Sequence, residues 1–255
     1  TDRDELLALA RAGQKVAVLF VDTFNGTFET ENALAALQVL KAAGYQVHTL
    51  MKGSGHHCCG RTHLATGQVG QARMRLEGLI DALLPLAEAG IAVVGLEPSC
   101  LLTLRDEALV MGFGGKAETV AAQAMLFEEF IAREAAAGRF NVAFKAVDKP
   151  ILVHGHCHQK AFDAVTPLMQ VLALIPGARP ELIESSCCGM AGSFGYEARH
   201  QQVSMQMAEL SLLPAVRAQP DAMVVADGTS CRHQIADGAQ RDAMHAALVL
   251  ARQLP

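Results

Sequence analysis

Two adjacent cysteine pairs dominate the chemistry this sequence can perform: Cys58-Cys59 and Cys187-Cys188, each followed directly by a glycine, Gly60 and Gly189. Cys100, Cys157 and Cys231 bring the total to seven, an odd number that a closed set of disulfides cannot absorb. Neighbouring cysteines seldom bond to each other, and residues 1–20 do not read as a signal peptide, so the clusters read as metal or redox sites. Thiolates are soft ligands, and both zinc and iron–sulfur clusters accept four of them. The chain contains no C-x-x-C, the short knuckle that zinc favours. Ligands drawn from separated loops suit a bulkier cofactor, so an iron–sulfur cluster, [4Fe–4S] by ligand count, is the leading expectation. A single zinc ion and bare thiol–disulfide chemistry stay open beside it.

The elements that must position these cysteines occur twice. Lys15-Val-Ala-Val-Leu-Phe-Val is a buried-strand run ending at Asp22-Thr23, and Lys149-Pro-Ile-Leu-Val-His is its counterpart, ending at His156-Cys157. A helical stretch follows each, 30–43 and 161–174, with Gly44 and Gly177 at the expected stops. Second strands then lead into the two Cys-Cys-Gly sites. Long helical segments come next, 68–89 and 196–217, and third strands end at Glu97-Pro-Ser-Cys100 and Gly228-Thr-Ser-Cys231. Alternating strands and helices imply βαβ units with parallel sheets. The expected fold is therefore α/β, two duplicated βαβ-type modules related by a pseudo-twofold, with every cysteine at a strand's carboxyl end, the edge where open α/β sheets bind ligands. Module one spans 1–103 and module two spans 149–255. Residues 104–148 between them read as a helical connector, with one Ala-rich helix over 117–137.

Aligned, the halves give module two a full set of Cys157, Cys187, Cys188 and Cys231, and module one a partial set of Cys58, Cys59 and Cys100 with Thr23 in the fourth place. Glu97 or His57 is a candidate to complete the partial set. Gly189, Gly192 and Gly195 let backbone N–H groups approach cluster sulfurs, and they suit a tight turn equally well. His154, His156 and His158 flank Cys157, and each singly reads as an ordinary hydrogen-bonded polar residue. Arg61, Lys160 and Arg232 follow site cysteines closely enough to offset thiolate charge or to attract an anionic acceptor.

The remaining composition excludes other classes. The 255 residues carry a net charge of −5, too acidic for a nucleic-acid binder, and 51% are hydrophobic, which rules out disorder. No apolar run approaches the length of a membrane span. The glycine-rich stretches lack the spacing of a phosphate loop, and no Ser-His-Asp arrangement is evident.

The same residues resemble the cysteine-rich CCG domain family, which includes the B subunit of heterodisulfide reductase and the iron–sulfur subunit of glycolate oxidase. That family duplicates a Cys … Cys-Cys-Gly … Cys-x-x-Cys module. Asp22-Thr-Phe, Cys58-Cys-Gly-Arg, Glu97-Pro-Ser-Cys-Leu, Cys187-Cys-Gly-Met-Ala-Gly-Ser-Phe-Gly-Tyr-Glu and Asp227-Gly-Thr-Ser-Cys-Arg-His-Gln-Ile look like one branch. That branch is the C-terminal part of FAD-linked D-2-hydroxyacid dehydrogenases of the D-lactate and D-2-hydroxyglutarate type. Three pattern cysteines are replaced, by Thr23, Glu97 and Gly228, so module one looks degenerate. The resemblance implies an electron-relaying part of an oxidoreductase, an enzyme as part of the whole and of uncertain activity alone, since by itself it could not oxidise the hydroxyacid. It also implies a cytoplasmic location, with peripheral attachment at the inner membrane left open. The partners it implies are an electron acceptor and the FAD-binding and ferredoxin-like parts of a longer polypeptide. The Thr start and the missing flavin region fit an excised C-terminal domain.

Overall fold

The computed structural model describes residues 2–51 and 55–255. Its contacts divide the chain into two compact units, the first running through Val142 and the second from Ala143 to Pro255. In the first unit, β1 (Val16–Phe20), β2 (Gln46–Leu50), β3 (Val93–Gly95) and β4 (Ala124–Leu126) form one parallel sheet in the order β2-β1-β3-β4. The second unit repeats the arrangement. There, β5 (Pro150–His154), β6 (Arg179–Leu182), β7 (Met223–Ala226) and β8 (Ala243–Met244) pair in parallel in the order β6-β5-β7-β8. The fold is thus α/β, with duplicated βαβ modules and two all-parallel sheets.

The central strands are continuous apolar runs because helices cover both faces of each sheet. Ala17 to Phe20, Val93 and Val94, Ile151 to Val153, and Val224 to Ala226 are all buried. The Val69–Glu88 helix turns Ala72, Leu76, Leu79, Ile80 and Leu83 inward, the spacing of a single helix face. In the second unit, Leu168, Leu172, Val249 and Ala246 pack on Ile151 and Val153 on one side of the sheet. On the other side, Leu212, Val216 and Ile235 pack with Leu152 and Val224.

Three expectations change. Residues 104–148, read as a helical connector, also carry a strand. The first unit extends through residue 142, and β4 completes its sheet, as β8 completes the other. The Ala-rich helix expected over 117–137 is two helices, Gly115–Gln123 and Phe127–Ala136, with β4 between them. The free edge of β3 offers backbone partners that outweigh the weak local preference of Ala-Met-Leu. The long helix expected over 196–217 breaks into Gln201–Glu209 and Leu212–Ala218. Pro214 has no N–H to donate to the Leu210 carbonyl and its ring crowds that carbonyl, which favours a new helix starting just before it; Pro85, near the end of the Val69–Glu88 helix, is carried without such a break.

Candidate metal centre

Each site cysteine sits just past a strand end, held by the turn or helix that begins there. In the second unit, Cys157 opens the Cys157–Ala161 helix after β5, and Cys187 and Cys188 occupy the turn after β6. Cys231 lies in the first turn of the Thr229–Ala239 helix after β7. The four sulfurs form a chain of contacts. Cys157 meets Cys187, Cys187 meets Cys188, and Cys188 Sγ lies 3.4 Å from Cys231 Sγ. Cys188 and Cys231 are buried, whereas Cys157 is exposed.

The protons on this chain are unevenly shared. Cys187 is pulled well below the usual thiol range by hydrogen bonds from Cys157 and Cys188, helped by the Gly189 N–H, 3.2 Å from its sulfur. Cys231 is lowered by its bond with Cys188, against burial, and by the imidazoles of His154 and His156. Cys157 and Cys188 are pushed up by their hydrogen bonds with Cys187 and Cys231 and by burial.

The glycine of Cys-Cys-Gly is required by space as well as by backbone angle. Gly189 has φ +90°, and a Cβ there would stand under 3.0 Å from the Ser204 carbonyl oxygen of the following helix. Gly60, at φ +81°, meets the Ala72 carbonyl oxygen at 2.6 Å in the same way. Close packing of the turn on the next helix is what aims the N–H groups at sulfur. Gly60 N lies 3.4 Å from Cys58 Sγ, and Arg61 N lies 3.4 Å from Cys59 Sγ.

The first unit keeps the contact pattern with different chemistry. Thr23 donates to Cys58 where Cys157 meets Cys187, and Cys59 bonds to Cys100 where Cys188 bonds to Cys231. Asp22 caps the Thr23–Thr27 helix, accepting from Phe24 N at 2.9 Å and from Asn25 Nδ2 at 2.7 Å. Glu97 caps the helix that carries Cys100 and accepts from Ser99 Oγ at 2.8 Å. Both carboxyls are buried. Burial, and then the Glu97 charge, push Asp22 up to about 6. Contact with Cys59 lowers Cys100, but burial and the charges of Asp22 and Glu97 outweigh it, to about 11. Cys58 and Cys59 are raised too, through their bonds to Cys59 and Cys100 respectively and through burial.

Imidazole stands in the second unit where carboxylate stands in the first. His156 caps the Cys157–Ala161 helix as Asp22 caps its own, its Nδ1 accepting from His158 N at 3.1 Å. Gly228 occupies the place of Glu97, and a Cβ there would stand under 3.0 Å from the His156 ring. His154, fully buried at the end of β5, bonds through Nδ1 to Ser185 Oγ at 2.9 Å. A ring nitrogen of His154 and the sulfurs of Cys188 and Cys231 all lie within 4.8 Å of one another.

Among the described residues, this triplet is the group of His, Cys and carboxylate donors close enough to share one ion. Cys58, Cys59 and Cys100 do not form such a group with Glu97 or with His57, which instead lines a small cleft with Met74 and Arg75. The three cations noted beside the cysteines have structural partners. Arg61 pairs with Glu107, Lys160 bonds to the carbonyls of Ser185 and Ser186, and Arg232 is buried on the Ala226 carbonyl at 2.8 Å. Asp22 stands in the sequence as a strand end and a motif residue, and neither discloses its proximity to Glu97 and Cys100. His154 looks like one of three histidines around Cys157, and only the return of Ser185 from the neighbouring strand's loop distinguishes it.

Comparison with known proteins matches this arrangement. The chain is 25% identical over 254 residues to the C subunit of the anaerobic glycerol-3-phosphate dehydrogenase of Escherichia coli, covering 97% of this chain and 62% of that protein. It is 26% identical over 235 residues to the D-2-hydroxyglutarate dehydrogenases of Escherichia coli and Pseudomonas putida, covering 91% of this chain and 22% of each. The chain therefore spans less than two thirds of the length of these relatives. The cysteine-rich domain model, CCG, matches twice, over residues 22–105 and 151–236, one match in each unit. Two parallel sheets of one topology, each presenting a Cys-Cys-Gly turn at its carboxyl edge, and a double match covering most of the chain have one conclusion: the chain belongs to the CCG cysteine-rich domain family.

Proposed function

We propose that the chain is an iron–sulfur electron-relay domain of a flavin-dependent D-2-hydroxyacid dehydrogenase, with Cys157, Cys187, Cys188 and Cys231 as cluster ligands. The observation that carries this reading is the contact chain of four free cysteines in the second unit. The donor set fits a soft, anionic cluster. A cluster held there supplies single-electron acceptance and donation, which lets a two-electron flavin discharge one electron at a time. Cys188 and Cys231 form the buried, water-excluding side of the site, and Cys157 forms its solvent side, where an electron partner approaches. The Gly189 N–H stabilises negative charge on Cys187. Lys160 adds positive charge beside Cys157.

The partners in this reading are the flavin-binding and ferredoxin-like parts of the same polypeptide, together with a downstream acceptor. The double family match and the dehydrogenase relatives support it. All seven cysteines are free of disulfides, as suits a reducing compartment such as the cytoplasm. No helix among the described residues is long and apolar enough to cross a membrane. The first unit serves as a scaffold in this reading, because it has three cysteines with Thr23 in the fourth place and burial raises all three.

Anaerobic purification with iron, zinc and acid-labile sulfide analysis, followed by EPR of the reduced sample, tests the proposal. Iron and sulfide in equal amounts with a reducible EPR signal support it. Stoichiometric zinc without sulfide overturns it in favour of a zinc-stabilised docking domain, a reading that the His154, Cys188 and Cys231 triplet favours.

A further inference from the structure

The geometry points to His154 as a metal ligand: its Nε2 supplies a nitrogen donor to a buried corner that it forms with Cys188 and Cys231. The inference rests on reading the second unit as a thiolate metal centre and adds a donor outside its four cysteines. Three observations carry it. The imidazole is completely buried, and its Nε2 makes no hydrogen bond of normal geometry, an expensive arrangement for a polar atom. Its other nitrogen is fixed by Ser185 Oγ at 2.9 Å, the outer hydrogen bond that orients most metal-ligating histidines. Ser185 Oγ accepts the Nδ1 proton in the tautomer that leaves the Nε2 lone pair toward the sulfurs. Finally, the ring nitrogen and both sulfurs lie within 4.8 Å of one another, and the two sulfurs are 3.4 Å apart. Donors around one tetrahedral ion with thiolate and imidazole ligands lie roughly 3.5–4 Å apart, given metal–sulfur and metal–nitrogen bonds of about 2.3 and 2.0 Å.

The arrangement gives the second unit an inner and an outer half. The inner half is His154, Cys188 and Cys231, all buried. The outer half is Cys157 and Cys187, nearer solvent. The inner corner binds a single thiophilic divalent ion without the outer pair. In a larger centre it contributes one nitrogen, and replacing a thiolate by imidazole on iron raises the reduction potential.

Cobalt(II) is the direct probe, titrated anaerobically into the thiol-reduced, chelator-treated chain. The wild type and Cys157→Ser are expected to bind one ion with the visible bands of a tetrahedral thiolate site, and X-ray absorption should show a nitrogen scatterer. His154→Ala should lose the nitrogen and bind at least 10-fold more weakly. Ser185→Ala, which keeps the ligand but frees its ring, should weaken binding about 10- to 100-fold while keeping the nitrogen. Circular dichroism confirms that the variants are folded, and Ser185→Ala keeps the test open if His154→Ala is not. Equal affinity and spectra for wild type and His154→Ala overturn the inference. Loss of cobalt from Cys157→Ser as complete as from Cys188→Ser does the same. Iron reconstitution separates this outcome from the electron-relay reading. An iron–sulfide centre whose pulsed EPR lacks a nitrogen coupling removed by His154→Ala sinks the inference alone. A cobalt site with nitrogen in a chain that assembles no iron and sulfide sinks the relay alone.

Discussion

Replacing Gly189 by alanine tests whether the Cys-Cys-Gly turn is packed as described. The added methyl enters a φ of +90° and presses on the Ser204 carbonyl oxygen, with Gln234 Nε2 at 3.2 Å. The left-handed backbone costs alanine about 1–2 kcal/mol, offset by about 0.4–1 kcal/mol from a less flexible unfolded chain. Forcing a methyl into a closed contact adds about 1–3 kcal/mol. Gly192 is the internal control, because it shares the positive φ, at +67°, but has nothing within 4 Å of its Cβ. Gly192→Ala should therefore lie within about 1 kcal/mol of wild type, and Gly189→Ala should lose about 2–4 kcal/mol. In a unit of this size that lowers the melting temperature by about 10 °C or more. Urea denaturation of the reduced chain measures the difference, and amide hydrogen exchange should confine the loss to residues after 143. If the two variants agree within about 0.5 kcal/mol, the turn is not pressed on the helix and the argument for its aimed N–H groups fails.

The other expectations are narrower. Glu134 is held down at about 2 by Arg139, whose Nε and Nη2 lie 2.7 Å from its oxygens, against burial and with help from Tyr45. A depressed carboxyl stabilises the fold above its unfolded pKa and loses that contribution as pH falls through its folded one. The first unit should therefore lose about 1–2 kcal/mol between about pH 4.5 and 2, discounted for the half-exposed arginines. Urea midpoints against pH should show this loss, and Glu134→Gln should abolish it. Cys188→Ser should abolish bound metal while Cys100→Ser leaves it intact, as metal analysis of the purified variants would show; equal loss would mean that both units bind. Thr23→Cys completes four cysteines in the first unit, yet burial and the charges of Asp22 and Glu97 raise Cys100 against ionisation. The variant should bind no second equivalent of iron until both carboxyls are also replaced, and a doubled iron content from Thr23→Cys alone would refute that electrostatic account.

The sheets were legible because buried parallel strands are continuous apolar runs, and Val16–Phe20 and Ile151–Val153 have no competing helical pattern. The placement of the cysteines was legible, since all seven follow strands on the carboxyl side of their sheets. What the chain did not disclose depends on neighbours distant in sequence. β4 exists because β3 has an open edge, and Ala-Met-Leu states no such preference. Pro214 did signal the break at Ser211, but the apolar pattern on both sides of it masked that signal. The pairing of Asp22 with Glu97, and of His154 with Ser185, joins loops from different strands. The difference in charge between the two sites therefore became visible only in three dimensions, although the difference in cysteine count was plain in the sequence.

The absent side chain at Gly228 makes the present ligand set hard to reverse. A cysteine placed at that position would drive its Cβ into the His156 ring. That ring caps the helix carrying Cys157. A side chain at 228 therefore displaces the ring that positions Cys157, so a fifth thiol cannot be added here without disturbing one already in place. Room at residue 228 has to come from residue 156, and the two positions behave as one in any redesign of the site.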